Sequence, residues 1–327
     1  MDARSFLRLV LSIFLGLWIG GCQERPEGHG SSGGYTIVTT TGMVRDIVQN
    51  VAGDRATIVG LMGEGVDPHL YKPTPSDVAQ IVLADIIFYN GLMLEGRMAD
   101  AFIKVSRKNK FVYAVTEEVD REYLLEPPEF KGHWDPHLWM DAGGWSRCVQ
   151  VVVGALSEYD PEHAETFQAN ATAYRGQLSE LDSYVKQAIS SIPHAQRVLI
   201  SAHDAFNYFG RAYGIAVRGI QGISTESEAG LQDINGLVDF IVANKIQAVF
   251  RESTVSEKNI EALREGAASR GHDVQIGGEL FSDAMGPTGT YEGTYIGMLD
   301  HNATTIARAL GGNAPERGLH GKLSHHH

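Results

Sequence analysis

Residues 160–191 read DPEHAETFQANATAYRGQLSELDSYVKQAISS, and the architecture turns on this stretch. Asp160-Pro161 has the composition of a helix start, an N-cap carboxylate followed by proline at the first helical position. From there to Ser191 no further proline occurs, and Gly176 is the only glycine. Phe167, Ala171, Tyr174, Leu178, Leu181, Val185 and Ile189 recur every three or four residues, the spacing of one buried helical stripe. At 1.5 Å per residue, about 30 residues span roughly 45 Å. Pro193 stops the run. A coiled coil is the competing reading, but Ala and Tyr interrupt the stripe too often for a sustained seam. One rigid helix spanning two separate lobes is the expectation.

Outward from this helix, the chain alternates short β-rich runs with amphipathic stretches. Before it, Tyr35–Thr41, Thr57–Met62, Asp85–Asn90 and Phe111–Thr116 read as buried strands. Helices fall between them near Met43–Val51, Pro75–Ala84 and Glu95–Arg107. After it, strands are expected at Arg197–Ala202, Ala216–Ile220, Gln247–Arg251 and Asp273–Ile276. Their helices are expected near Ala205–Tyr213, Leu231–Asn244, Ser256–Arg270 and Thr290–Leu310. Strands separated by helices of this length make parallel sheets through right-handed crossovers. The expected fold is α/β, with two lobes, each a four-stranded parallel sheet with flanking helices, joined by the one long rigid helix. Residues 35–158 make the first lobe, 159–192 the connecting helix, 193–312 the second lobe and 313–327 a tail.

The N-terminal end stands outside this scheme. Arg4 and Arg8 accompany an apolar run, Leu9–Ile19, and Gly20-Gly21 sits directly before Cys22. About 11 apolar residues are too few to cross a hydrocarbon core, which takes roughly 20, so residues 1–21 read as an export signal. The ending Ile19-Gly20-Gly21-Cys22 resembles the lipobox of bacterial lipoproteins, which implies an acylated Cys22 that anchors the protein to a membrane. Ordinary cleavage leaving a free Cys22 is the alternative. Residues 22–34 are polar and Gly-rich, as a flexible tether is. A net charge of −13 argues against a nucleic-acid partner and suits a cation. Cys22 and Cys148 are the only cysteines. With Cys22 acylated, neither an internal disulfide nor a thiolate metal site can form, so any metal site is built from His and carboxylate.

The tetrapeptide Asp-Pro-His-Leu occurs at Asp67–Leu70 and again at Asp135–Leu138. Proline fixes its own φ and restricts the residue before it, so the following histidine leaves a stiffened turn. The aspartate can accept backbone N–H groups in that turn or orient an imidazole from behind. A third histidine, His203, ends the strand Arg197–Ala202, where ligands of parallel α/β sheets bind. Asp204 beside it is a natural N-cap for the helix that follows. Asp283, just after the last strand, is the fourth candidate. Singly, each has a plain alternative: a histidine can be a satisfied core or surface residue, and Asp283 can simply cap a helix. Together they occupy corresponding loops of an alternating β/α chain.

Four stretches, GVDPHLY at 65–71, SAHDAFNYF at 201–209, GISTESE at 222–228 and QIGGELFSD at 275–283, resemble the metal-binding solute-binding proteins typified by TroA. Gly293-Thr294-Tyr295 with His301-Asn302 belongs to the same pattern. The resemblance runs from about Tyr35 to Leu310. It implies a metal held in the cleft between the lobes by His69, His137, His203 and Asp283. It also implies an exported, membrane-anchored monomer facing the periplasm or cell exterior, which passes its cargo to an ABC permease and that permease's ATPase subunit. Three imidazoles and a carboxylate suit Zn2+, with Mn2+ or Fe2+ as alternatives. Cleft closure is expected to be modest and confined to local loops, because the long helix restrains the lobes.

Departures from the pattern matter too. Zinc-specialised relatives often carry a His-rich loop ahead of the second ligand, whereas Glu117–Lys131 holds no histidine and only His133 stands beside that site. His133 is a solvated loop residue or a first contact for incoming metal. Glu226, Glu228 and Glu252 are expected to support the site or order its loops, and Trp134 and Trp139 to pack over it. His301 is read as a helix residue with a structural hydrogen bond; His29, His163, His194, His272 and His320 as surface or packing residues. The terminal His325–His327 is set aside. A metal-dependent hydrolase is the rival from another class, and a surface adhesin a third reading. Four protein ligands leave little room for a reactive water, and no HExxH or Walker A pattern is present.

Overall fold

The computed structural model describes residues 34–106 and 110–324. The expected export signal, Cys22, nearly all of the expected tether, His29, Arg107 and His325–His327 lie outside the described residues. In the first lobe, β1 (Tyr35–Thr39), α1 (Gly42–Ala52), β2 (Ala56–Gly60), α2 (Pro75–Leu83), β3 (Ile86–Tyr89), α3 (Ala99–Ser106) and β4 (Phe111–Ala114) alternate as expected. The four strands form one parallel sheet in the order β2-β1-β3-β4. Local chemistry starts the helices. Thr41 caps α1 at Val44 N. Thr74 and Asp77 form a reciprocal capping box on α2, with Pro75 in its first turn.

One long helix joins the lobes. The connecting helix α5 (Ala164–Ser190) buries all seven stripe residues, and Tyr184 and Ala188 besides. Each large apolar side chain so buried contributes about 1.5–3 kcal/mol. Its start differs from expectation. Pro161–His163 makes a separate 3-10 turn, and Asp160 accepts from the ring of His163 at 2.7 Å rather than capping the helix. Ahead of it lies α4 (Ala142–Tyr159), an 18-residue helix that the sequence reading did not anticipate. Gly143-Gly144 and the β-branched run Val151–Val153 disguise it. Packing overrides that weak preference: Trp145, Cys148, Val149, Val152 and Leu156 are fully buried, and Asp141 caps Gly144 N at 3.0 Å. Burial pushes the Cys148 thiol far up, which keeps it inert.

The second lobe comprises β5 (Val198–His203), α6 (Asn207–Tyr213), β6 (Ala216–Gln221), α7 (Leu231–Asn244), β7 (Ala248–Glu252), α8 (Lys258–Ser269), β8 (Gln275–Leu280) and α9 (Tyr295–Ala309). Its four strands hydrogen-bond as two parallel pairs, β5-β6 and β7-β8, rather than as one sheet of four, although β5 and β7 are in contact. Asp204 does not cap α6, which begins only at Asn207. Its Oδ1 instead accepts Gly219 N at 2.7 Å and ties β5 to β6, leaving no room for a Cβ at Gly219. The last helix starts at Tyr295, later than expected, where Thr294 caps Gly297 N at 3.0 Å. Residues 313–324 fold back on the lobe, with Leu323 buried and Leu319 N bonded to Asp300 at 3.0 Å. One apolar core runs through α1, α4, α5, α6 and α9. The long helix is tied to both lobes, by Tyr174 to Asp46 at 2.8 Å and by Tyr184 to Thr304 at 2.7 Å.

Candidate metal centre

Each of the four candidate residues stands at or after the carboxyl end of a strand. His69 follows β2, His203 ends β5 and Asp283 follows β8, while His137 lies on the segment between β4 and α4. The fold brings all four together. One nitrogen or oxygen atom from each lies within 4.8 Å of the others. His69 Nε2 and His137 Nε2 face each other at 3.3 Å. The Asp283 carboxylate approaches His203 Nε2 at 3.2 Å, His137 Nε2 at 3.3 Å and His69 Nε2 at 3.6 Å. His137 and His203 are fully buried, Asp283 is 1% exposed and His69 6%.

Different supports hold the rings. His137 Nδ1 meets Asp135 Oδ1 at 2.8 Å, and Asp135 Oδ2 in turn accepts from Asn207 Nδ2 at 3.1 Å. His203 Nδ1 meets Glu252 Oε2 at 2.5 Å, while the other Glu252 oxygen accepts His203 N at 2.9 Å. A carboxylate behind an imidazole fixes its tautomer and turns Nε2 toward the site. Among the described residues no side chain holds Nδ1 of His69; Asp67 accepts only its backbone N–H, at 2.8 Å.

Electrostatics follow these contacts. Burial pushes the His69 imidazole down to about 3, against the pull of Asp283. Burial also opposes charge on His137, yet Asp135 and Asp283 outweigh it and lift that ring to about 9. Glu252 and Asp283 likewise outweigh burial at His203 and raise it well above the usual range. Asp283 is held well below the carboxylate range, burial notwithstanding, by the three imidazoles around it.

The donor set fits a dication. Beyond their contacts with the other members of the set, His203 Nε2 and both Asp283 oxygens are buried without a hydrogen-bond partner, and a buried polar group left without a partner is costly. Two ring nitrogens facing each other also need a proton or a cation between them. A metal at their centre engages all of these atoms at once. Three nitrogens and a carboxylate make a zinc-like set.

The remaining expectations divide. Glu252 is the His203 partner, and Glu226 pairs across the lobes with Arg97 at 2.8 Å; Glu228 is exposed. Trp139 packs its ring 5.2 Å from His137 and donates Nε1–H to Ser282 O at 2.8 Å, tying the second tetrapeptide to the Asp283 loop. Trp134 is half-buried against the core. His133 is exposed and rests on the Phe130 ring at 5.2 Å. His301 meets Glu279 O at 2.9 Å, a structural bond. Thr225, Asn207 and Arg97 went unremarked as supports. The first two lay in stretches already conspicuous for the resemblance, whereas nothing in the sequence marks Arg97.

Comparison with known proteins agrees with this geometry. The family model described as ZnuA, zinc-uptake complex component A periplasmic, matches residues 37–309. The zinc-binding protein TroA of Treponema pallidum is 49% identical over 276 residues, covering 84% of this chain and 88% of the relative. The manganese-binding lipoprotein MntA of Bacillus subtilis is 42% identical over 298 residues, covering 91% of this chain and 97% of the relative. The solved structure of TroA from Treponema pallidum matches with a TM-score of 0.82 at 48% identity, over 85% of this chain and 99% of that one. On these matches the chain belongs to the ZnuA family of periplasmic uptake components, of which TroA and MntA are close relatives.

Proposed function

We propose that this protein binds a divalent transition metal, zinc by preference, outside the cytoplasm and delivers it to a membrane importer. The cargo is held by His69 and His137 from the first lobe and His203 and Asp283 from the second. The carrying observation is the buried convergence of their four donor atoms within 4.8 Å, where His203 Nε2 and both Asp283 oxygens have no partner outside the set. A ligand set divided between two lobes binds them together only when filled, which gives a permease a difference to read. The relatives are named as metal-binding and transporter components, so the partners are an ABC permease and its ATPase subunit, and the protein is not an enzyme. Relatives named as lipoproteins support an anchor at Cys22, and no helix of the described residues is long and apolar enough to cross a membrane. The protein acts as a monomer.

Manganese is the second reading. It is favoured by the MntA relative and by an aspartate with both oxygens free, since oxygen donors suit manganese. Elemental analysis and calorimetric titration of protein lacking His325–His327 decide between them. One zinc per chain, bound more tightly than manganese, is expected. Failure of both metals to bind stoichiometrically would sink the reading.

A further inference from the structure

The loop that carries His69 is fastened to the opposite lobe on both sides of that residue. Before it, Asp67 divides its carboxylate: Oδ1 accepts His69 N at 2.8 Å, and Oδ2 accepts the Thr225 hydroxyl at 2.5 Å. After it, Leu70 O accepts from Arg97 Nη1 at 3.4 Å, and Arg97 pairs with Glu226 through Nε at 2.9 Å and Nη2 at 2.8 Å. Thr225 and Glu226 are neighbours on the segment between β6 and α7. The other histidines have different restraints. His137 and His203 are gripped at their rings by buried carboxylates and are fully buried, whereas His69 retains 6% exposure.

From this asymmetry we infer that residues 224–228 are a latch, with Thr225 and Glu226 as positioning residues that set how fast metal enters and leaves by way of His69. The inference rests on the metal-cargo reading above. Among the described residues, the side-chain bonds that hold residues 224–228 to the first lobe are one hydroxyl–carboxylate bond and one half-exposed ion pair, and neither is made to His137, His203 or Asp283. A partner that draws residues 224–228 aside therefore frees one ligand of four and lowers the barrier to release while the rest of the site stays formed. Thr225 has no part in the ligand set; its effect passes through Asp67 and the turn that presents His69.

The test uses full-length protein loaded with zinc alone and mixed rapidly with a chromogenic chelator. Thr225→Val should raise the dissociation rate about tenfold, the scale of one lost hydrogen bond to a charged group. Thr225→Ser, which keeps the hydroxyl, should restore the slow rate. Arg97→Glu and Glu226→Arg should each speed release by about twofold, as an exposed pair allows, and the double exchange should recover the slow rate. Visible spectra of the cobalt-loaded variants should match wild type, because the ligands are intact. Rates within twofold of wild type for Thr225→Val, or an altered cobalt spectrum, overturn the latch. Wild-type protein that takes up no stoichiometric zinc fails the cargo reading instead, so the two failures are told apart.

Discussion

In Asp67–Leu70 and Asp135–Leu138 the same four residues make the same turn. The aspartate Oδ1 accepts the N–H of the histidine two residues on, at 2.8 Å in the first copy and 2.9 Å in the second. Their surroundings then part them. Asp135 is fully buried, and the same Oδ1 also meets the His137 ring. Asp67 sends its second oxygen across the cleft to Thr225 and leaves the His69 ring unheld. Burial therefore drives His69 down to about 3, while two carboxylates carry His137 up to about 9. One tetrapeptide yields a neutral, loosely backed imidazole and a charged, rigidly backed one. The local turn presents a histidine; what stands behind the ring decides its character.

The largest expected effect tests whether the two copies are equal as ligands. His69→Ala and His137→Ala should each lower zinc affinity by orders of magnitude in calorimetric titration, as should His203→Ala. Wild-type affinity in two of the three would break the assignment. Metal-free stability should separate them. His137→Ala leaves Asp135 buried without its cation, which costs about 3 kcal/mol. His69→Ala removes a ring already neutral, and its denaturation midpoint should stay near wild type. Equal losses would mean that the ring supports do not differ in strength.

Next in size is the stabilisation by cargo itself. A ligand at ~1,000 times its dissociation constant adds about 4 kcal/mol, so zinc should raise the melting temperature clearly in wild type. In Asp135→Asn, where the carboxylate behind His137 is lost, affinity should fall by about 10–100-fold and the shift should shrink. Asp67→Asn keeps an oxygen for the turn and should cost far less. Equal losses in the two variants would erase the distinction drawn between the copies.

A proton count sharpens the comparison further. His137, lifted to about 9, carries a proton at pH 7 that metal must displace, whereas His69 is already neutral. Titration in buffers of different ionisation enthalpy should show proton release on loading. His69→Ala should leave the count unchanged and His137→Ala should reduce it. The stability linkage has a matching sign. The raised His137 group stabilises the metal-free protein fully below the ordinary value near ~6.5, and this is lost as pH rises through 9. The depressed His69 acts oppositely, costing stability as pH falls below ~6.5 toward 3. A count indifferent to His137→Ala would contradict the electrostatics.

The smallest effect concerns His133, exposed four residues before His137. As a first contact for incoming metal it should speed capture without sharing the bound state. His133→Ala is expected to slow zinc association by about twofold to threefold, in line with one lost surface contact, and to change equilibrium affinity little. An unchanged rate in stopped-flow mixing returns it to an ordinary surface residue.

Much of this protein is legible without coordinates because its signals are local. The stripe from Phe167 to Ile189 specifies a helix by periodicity, and short β-rich runs between amphipathic segments specify parallel strands. Pro68 and Pro136 stiffen the turns that present His69 and His137. Where the reading erred, long-range packing had overruled local preference. A Gly- and Val-rich segment became α4 because Trp145, Cys148 and Val152 fill the core beneath it. Asp204, composed as a helix cap, bonded Gly219 on the next strand instead. Sequence alone marked four candidate metal ligands at strand ends and in stiffened loops. Only the tertiary structure decided that Glu252 stands behind His203, that Asn207 steadies Asp135, and that the His69 turn faces the other lobe through Thr225, because these partners are 49, 72 and 158 residues apart and meet only in the folded chain.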